Sequence, residues 1–525
     1  MDENAVHQLL LSPDAYPEKS GPISFDETHI SYLYFTDSHV YKIKKPLNLG
    51  FLDFSTLEKR LFFCQEEVRL NRRFCPDTYL DVVPIKAIKK GLRLGGPEGE
   101  IVEYAVRMKR LPKERMLDVL LERDDPSLPK EMEKLASFLA EVHRQAPLAS
   151  EVAPSLCDWD DIGNNWNENF SQTEPFAEKT IPADGLEACR HRLEALMRED
   201  HDLFMRRERE GFVREVHGDL HAEHICLTRP VRIYDCIEFN QRFRISDILS
   251  DLAFLLMDLE FRGRRDLAGQ LLDAYLAHSE PQEGYETLLR FYKIYRAWVR
   301  GKVDAIAMHQ HPPGEEAFRT ARELACRYFN LAMGYLSPPF LLITCGLMGT
   351  GKSVFSRRLA QASGATLLQS DAIRKQLAGI APGARAEVAF ETGIYRPTAT
   401  ETVYHELHLR AAHELRKGNS VIVDASFARE KHRRTMEMLA KSHGVGFFLA
   451  HLVCQEATHR ERLTQRELKG GDISDGRLAL LEKQTAKFEN IEETPHSINI
   501  DTTREVEYNI GLALSRILKG VETQA

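Results

Sequence analysis

Between residues 21 and 110 the apolar positions fall in short β-type runs, among them His39 to Ile43, Tyr79 to Ile85 and Ile101 to Met108. From 113 to 335 the period becomes helical. It is interrupted by two strand-like runs, Ile225-Cys226-Leu227 and Val231 to Asp235. The polar stretch Asp158 to Pro175 reads as a surface excursion. A helical run, Glu315 to Tyr335, stops at Ser337-Pro338-Pro339, and beyond 340 strands and helices alternate. Alternation of that kind predicts a parallel sheet between helices. The pattern therefore predicts two domains of α/β and α+β type. One spans 1–336, with a β-rich lobe to about 110 and a helical lobe over 111–336; the other spans 337–525.

Composition narrows this. A chain of 525 residues is too long for one core. Its 43% hydrophobic and 28% charged content is that of an ordinary soluble protein. No apolar run reaches 18 residues, so no membrane span is expected. The start, MDENAVHQLL, is acidic and lacks the apolar core of a signal peptide. Nine cysteines, scattered and never spaced C-x-x-C, predict reduced thiols in a cytoplasmic protein. A net charge of -9 argues against broad nucleic-acid binding.

The strongest local signal is G-L-M-G-T-G-K-S at 346–353, a P-loop placed between an apolar strand (Phe340 to Cys345) and a helical pattern (Val354 to Ala362). Gly346 and Gly351 permit the tight turn, and the loop between them, with Gly349 and Thr350, points N–H groups inward at phosphate oxygens. The helix N-terminus adds partial positive charge. Lys352 is expected on the β/γ-phosphates and Ser353 on Mg²⁺.

Three further pieces follow the loop. T-L-L-Q-S-D at 366–371 predicts a strand ending in Asp371, with Arg374 at the start of the next helix. The carboxylate there would take a proton from an acceptor hydroxyl, and the arginine would hold substrate or phosphate. This D-x-x-R spacing resembles that of polynucleotide and zeta-toxin-like kinases; the plain alternative is a helix-capping Asp beside a solvated Arg. S-V-I-V-D at 420–424 predicts a buried strand whose Asp424 serves Mg²⁺. H-R-E-R-L-T-Q-R at 459–466 puts Arg460, Arg462 and Arg466 on one helix, suited to cover a nucleotide and neutralise phosphoryl charge.

A second constellation lies upstream. H-G-D-L-H-A-E-H at 217–224 and I-Y-D-C-I-E-F at 233–239 place Asp219 and Asp235 16 residues apart, a separation that a tight hairpin folds into one pocket. These residues, with Asp251-Leu252-Ala253, V-Y-K-I-K-K at 40–45 and E-E-V-R-L-N-R-R at 66–73, resemble the aminoglycoside-phosphotransferase-like kinases. With the P-loop module, the whole resembles bacterial two-module fusions of such a kinase to an ATP-binding domain. The resemblance implies a two-lobed, protein-kinase-like fold for 1–336. It implies Lys42 on the ATP phosphates, Glu67 as its partner, Asp219 as catalytic base and Asp235 as Mg²⁺ ligand. Lys44 and Glu66 are the alternatives for the lysine–glutamate pair. One position departs from the pattern: His224 stands where an Asn oxygen ligand is expected. Imidazole suits softer metals than Mg²⁺, so this site is expected to hold one metal, to prefer Mn²⁺, or to have lost transfer.

Other polar residues read as structural. Lys293, Arg296 and Arg300 read as a solvated or ion-paired helix face, His143 as a core histidine, and Asp258 and Glu260 as partners of nearby arginines. The expectation is an ATP-dependent phosphotransferase acting on a small-molecule hydroxyl, with ATP and Mg²⁺ (Mn²⁺ at the N-terminal site). A nucleic-acid 5′-hydroxyl kinase and a regulatory ATPase with a degenerate kinase-like sensor are the alternatives.

Overall fold

The computed structural model describes residues 3–50, 52–89, 91–156, 159–280, 283–381, 393–469, 481, 484–491 and 494–520. The chain divides into two compact units, residues 1–163 with 202–293, and residues 164–201 with 294–525. The boundary expected at 336/337 follows the motifs; in this division 164–201 and 294–336 group with the P-loop unit.

The first unit opens on an antiparallel sheet of six strands in the order β1-β2-β3-β6-β4-β5. These are β1 (Ser24–Glu27), β2 (Ser31–Phe35), β3 (His39–Lys44), β4 (Tyr79–Ile88), β5 (Gly91–Leu94) and β6 (Glu100–Lys109). Strand β3 is covered on both faces. Tyr41 and Ile43 enter a cluster with Tyr34, Ile85 and Ala105. Val40 enters another with Cys64 and Val68, which come from the helix Leu57–Asn71. Strand side chains alternate, so Lys42 and Lys44 share the Val40 face and point toward that helix. The helix starts at Thr56, whose hydroxyl accepts the Lys59 amide at 3.3 Å.

The helical part of this unit carries two small two-stranded sheets. Strand β7 (Val213–Glu215) pairs with β10 (Ile245–Asp247), and β8 (Ile225–Cys226) with β9 (Arg232–Ile233), both antiparallel. The helix Ile248–Phe261 follows β10. Asp247 caps it by accepting the Leu249 amide at 2.8 Å, and nearly every one of its residues is buried.

In the second unit a parallel five-stranded sheet runs β12-β13-β11-β14-β15. Its strands are β11 (Phe340–Cys345), β12 (Thr366–Gln369), β13 (Val421–Asp424), β14 (Gly446–Val453) and β15 (Ser497–Asp501). All six residues of β11 are buried, as a central parallel strand with both faces covered requires. After β11 the chain builds one side of the sheet (β12, β13) and then the other (β14, β15). The carboxyl end of β11 is therefore the switch point where open α/β sheets bind ligands.

Two sequence expectations change. The stretch expected as a surface excursion is the helix Trp159–Thr173. Trp166, Asn169, Phe170 and Thr173 form its buried stripe, and Trp166 and Phe170 pack on Trp298 at ring distances of 6.0 and 5.0 Å. The high polar content of its outer face concealed that spacing. Strand β12 ends at Gln369 and a helix begins at Ser370, so Asp371 lies in the first helical turn and Arg374 one turn further on.

Candidate active sites

In the first unit Glu67 separates the alternatives left by the sequence. Helix Leu57–Asn71 buries Arg60, Cys64, Glu67, Val68 and Asn71, a single stripe at helical spacing, and Glu66 lies off it. Glu66 pairs with Arg69 at 2.8 Å. Glu67 instead takes both lysines: Lys42 at 2.9 Å and Lys44 at 2.7 Å. Lys42 also pairs with Asp235, and Lys44 with Glu238. Two ammonium groups thus meet three carboxylates. Burial would raise the Glu67 carboxyl, but Lys42 and Lys44 hold it below the usual carboxylate range. At Glu238 burial prevails despite Lys44, and its carboxyl is raised. Glu238 was missed at sequence level although it stands within I-Y-D-C-I-E-F.

The H-G-D loop follows β7. Gly218 has φ of 84°, and a Cβ there would lie 2.8 Å from the Phe243 carbonyl oxygen, so the position demands glycine. Two carboxylates one face and seven residues apart on the helix Ile248–Phe261 fix the loop backbone. Asp251 accepts the amides of His217 (2.7 Å) and Gly218 (2.8 Å), and Asp258 accepts that of Ala222 (2.9 Å). Asp258 also pairs with Arg262 at 3.2 Å, the arginine contact expected of it, and Glu260 with Lys293 at 2.7 Å. His143 is buried, bonded to the Tyr275 hydroxyl at 2.8 Å and 3.7 Å from Asp251. Arg296, expected on a solvated or ion-paired helix face, is buried.

The β8–β9 hairpin returns the chain so that Asp235 faces Asp219 across His224. His224 Nδ1 is 3.6 Å from Asp219 Oδ2, and its Nε2 is 3.6 Å from Asp235 Oδ2. Asp235 has φ of 65°, tolerable for Asp, and donates its amide to the Tyr79 hydroxyl at 3.1 Å. Burial would raise its carboxyl, but Lys42 and then His224 hold it well below the usual range. His224 itself is lowered, first by burial and then by neighbouring His221. An imidazole in this position suits Mg²⁺ poorly, because that ion favours oxygen donors.

In the second unit the helix Lys352–Ser363 starts at Gly351. Gly349 has φ of 80°, and a Cβ on it would meet Leu463 Cδ2 at 2.8 Å. Lys352 Nζ donates to the carbonyls of Gly346 (3.0 Å) and Leu347 (2.7 Å). The Thr350 hydroxyl donates to Leu347 at 2.9 Å. Met348 lends its amide to Gln484 Oε1 at 2.8 Å and its carbonyl to His459. The amides at the start of the helix and the Lys352 ammonium form a donor set that fits phosphate oxygens. Ser353 and Asp424 supply oxygen ligands suited to Mg²⁺.

Asp424 ends β13, buried, with Gln369 Nε2 3.1 Å from Oδ2 and the Thr344 hydroxyl 3.5 Å from Oδ1. Gln369 and Asp424 are register partners, which sets Asp371 two residues beyond the same sheet edge. Arg374 is buried, donates to the Ile394 carbonyl at 2.9 Å, and stacks over Tyr395 at 4.7 Å. The arginine helix, Glu456–Lys469, lies against the P-loop through Leu463 and His459. Arg462 holds Thr502, at 2.8 Å to its hydroxyl and 2.7 Å to its carbonyl. Arg460 is an exposed partner of Glu456 at 2.9 Å. The Arg466 side chain lies outside the described residues.

Residues 65–290 match the profile of the phosphotransferase enzyme family, and residues 341–491 that of an AAA domain. An uncharacterized protein of Mycobacterium tuberculosis is 30% identical over 435 residues, which cover 81% of this chain and 83% of the relative. An uncharacterized protein of Mycobacterium bovis gives the same figures. The chain belongs to their family. It joins a phosphotransferase-enzyme domain of aminoglycoside-phosphotransferase type to a P-loop kinase domain, as the motifs led one to expect. Among solved structures, the GDP complex of an aminoglycoside 2′-phosphotransferase-IIIa is 12% identical, covering 62% of this chain and 99% of its own, at TM-score 0.39. A gluconokinase of Sinorhizobium meliloti is 20% identical, covering 36% of this chain and 99% of its own, at TM-score 0.27. Both domain families support a phosphotransferase. Among the described residues no helix is long and apolar enough to cross a membrane.

Proposed function

We propose that the protein is an ATP-dependent kinase that transfers the γ-phosphate to a hydroxyl of a small molecule. The observation that carries this is the P-loop at the sheet's switch point with Asp424 at the end of the adjacent strand. Lys352 and the loop amides bind the phosphates, and Ser353 and Asp424 would hold Mg²⁺, which supplies charge neutralisation when bound. Asp371 accepts the acceptor's proton. Arg374 positions the segment 393–400 beside it, and Arg462 secures the arginine helix over the loop. An acidic chain without a basic-aromatic tract favours a small acceptor over nucleic acid.

In the first unit Lys42 and Asp235 form the nucleotide end and Asp219 the base. The lysine leaves Asp235 for phosphate while Glu67 remains paired through Lys44. A second reading, nucleotide binding without transfer, draws on His224, whose imidazole displaces an expected oxygen donor.

The test is acceptor-stimulated ADP release across a metabolite panel, with Lys352→Ala and Asp219→Asn disabling the modules one at a time. A kinase shows turnover that depends on one acceptor and disappears with one or both changes. Release of ADP at the same rate with and without every acceptor would instead mark a regulatory ATPase.

A further inference from the structure

The H-G-D loop brings one carboxylate and two imidazoles together. Asp219, His221 and His224 each offer one ligand atom, and these atoms all lie within 4.8 Å of one another. His221 Nε2 and His224 Nδ1 are each 3.6 Å from the same oxygen, Asp219 Oδ2. The two imidazoles face each other at a ring distance of 4.0 Å. His221 is buried, whereas the Asp219 side chain keeps 34% of its surface exposed and leaves a route from solvent. Asp235 adds a further carboxylate 3.6 Å from His224 Nε2.

We propose that Asp219, His221 and His224 bind one transition-metal dication of the zinc or cobalt class, in strong preference to Mg²⁺. Two imidazoles and a carboxylate are a donor set for such ions, while Mg²⁺ prefers oxygen alone. With bonds of about 2.0–2.1 Å, adjacent ligands on a tetrahedral ion stand roughly 3.4 Å apart, so the two 3.6 Å separations need only a small contraction, while His224 Nδ1 must exchange its 2.9 Å contact with the Asp219 carbonyl oxygen for the ion. The loop backbone is already held by Asp251 and Asp258, which limits what the donors lose on ordering. This proposal needs only the three side chains and rests on the second reading of the first unit, nucleotide binding without transfer. A bound ion would occupy the Asp219 oxygen and so exclude that residue from acting as a base.

The experiment uses the full chain, stripped with a chelator and titrated with Co²⁺, following visible ligand-field absorption, and then with Zn²⁺ in competition. A single equivalent of Co²⁺ is expected to give an intense tetrahedral spectrum without the near-ultraviolet thiolate band that a cysteine site would show. A large molar excess of Mg²⁺ leaves that spectrum intact, and Zn²⁺ abolishes it. His221→Ala and His224→Ala each weaken Co²⁺ by at least the roughly 10–100-fold seen for lost outer-shell partners. Circular dichroism checks that both variants fold, and Asp219→Asn, nearly isosteric, gives the same loss should either histidine change unfold the loop. No stoichiometric absorption in wild type, displacement by Mg²⁺, a thiolate band, or wild-type affinity in the folded variants would overturn the proposal.

Discussion

Lys44 Nζ and Glu67 Oε2 pair at 2.7 Å with both side chains fully shielded from solvent. Neither can be satisfied by water, and Lys44 is also the partner of Glu238. Lys44→Met therefore leaves two buried carboxylates short of a cation. The expected cost is about 3–5 kcal/mol, the usual penalty for breaking a buried pair from one side. Lys45→Met, at the half-exposed Glu27 pair, is expected to cost about 1 kcal/mol or less. Urea titration of the full chain, read by pulse proteolysis, compares them; equal effects would refute the buried-network account.

His217 supplies a pH signature. Burial pushes its imidazole down from 6.5 to about 4, against the opposing pull of Asp251. A depressed folded value means that the unfolded chain binds the proton more readily. The contribution of neutral His217 is thus complete above about pH 6.5 and is lost as pH falls toward about 4. His217→Gln should flatten the pH dependence of stability across that window. An unchanged slope would mean that other groups govern it.

Asp371→Asn is expected to leave ATP affinity nearly intact while slowing transfer by about 10²–10⁴-fold, the usual range for a lost general base. Isothermal titration with a non-hydrolysable ATP analogue, alongside turnover, separates the two quantities. Lost binding at a normal rate per bound complex would make Asp371 a nucleotide ligand or a structural residue.

His224→Asn puts an oxygen donor where imidazole now stands between Asp219 and Asp235. In a chain whose P-loop module is silenced by Lys352→Ala, this change should raise Mg²⁺-dependent transfer, and wild type should favour Mn²⁺. Asp235→Ala should abolish metal-dependent nucleotide binding in both backgrounds. Strong Mg²⁺-dependent activity in wild type, reduced by the Asn change, would identify His224 as adapted and not degenerate.

The sequence by itself determined the P-loop, the H-G-D loop, the strand ending in Asp424 and the change from a helical run to alternating strands and helices at Ser337-Pro338-Pro339. Local signals suffice for these, because backbone geometry at glycines and apolar periodicity depend on neighbours in the chain. The tertiary structure decided what depends on distant neighbours. Glu67 and not Glu66 meets the lysines because only one of them lies on the buried stripe of its helix. Lys42 and Lys44, left as alternatives by the sequence, both converge on that carboxylate, since alternate residues of a strand share a face. The role of Glu238 required a strand and a loop 194 residues apart to meet. The helix Trp159–Thr173 needed Trp298 to explain its buried stripe, since a polar majority hides four inward positions until their partner is in place.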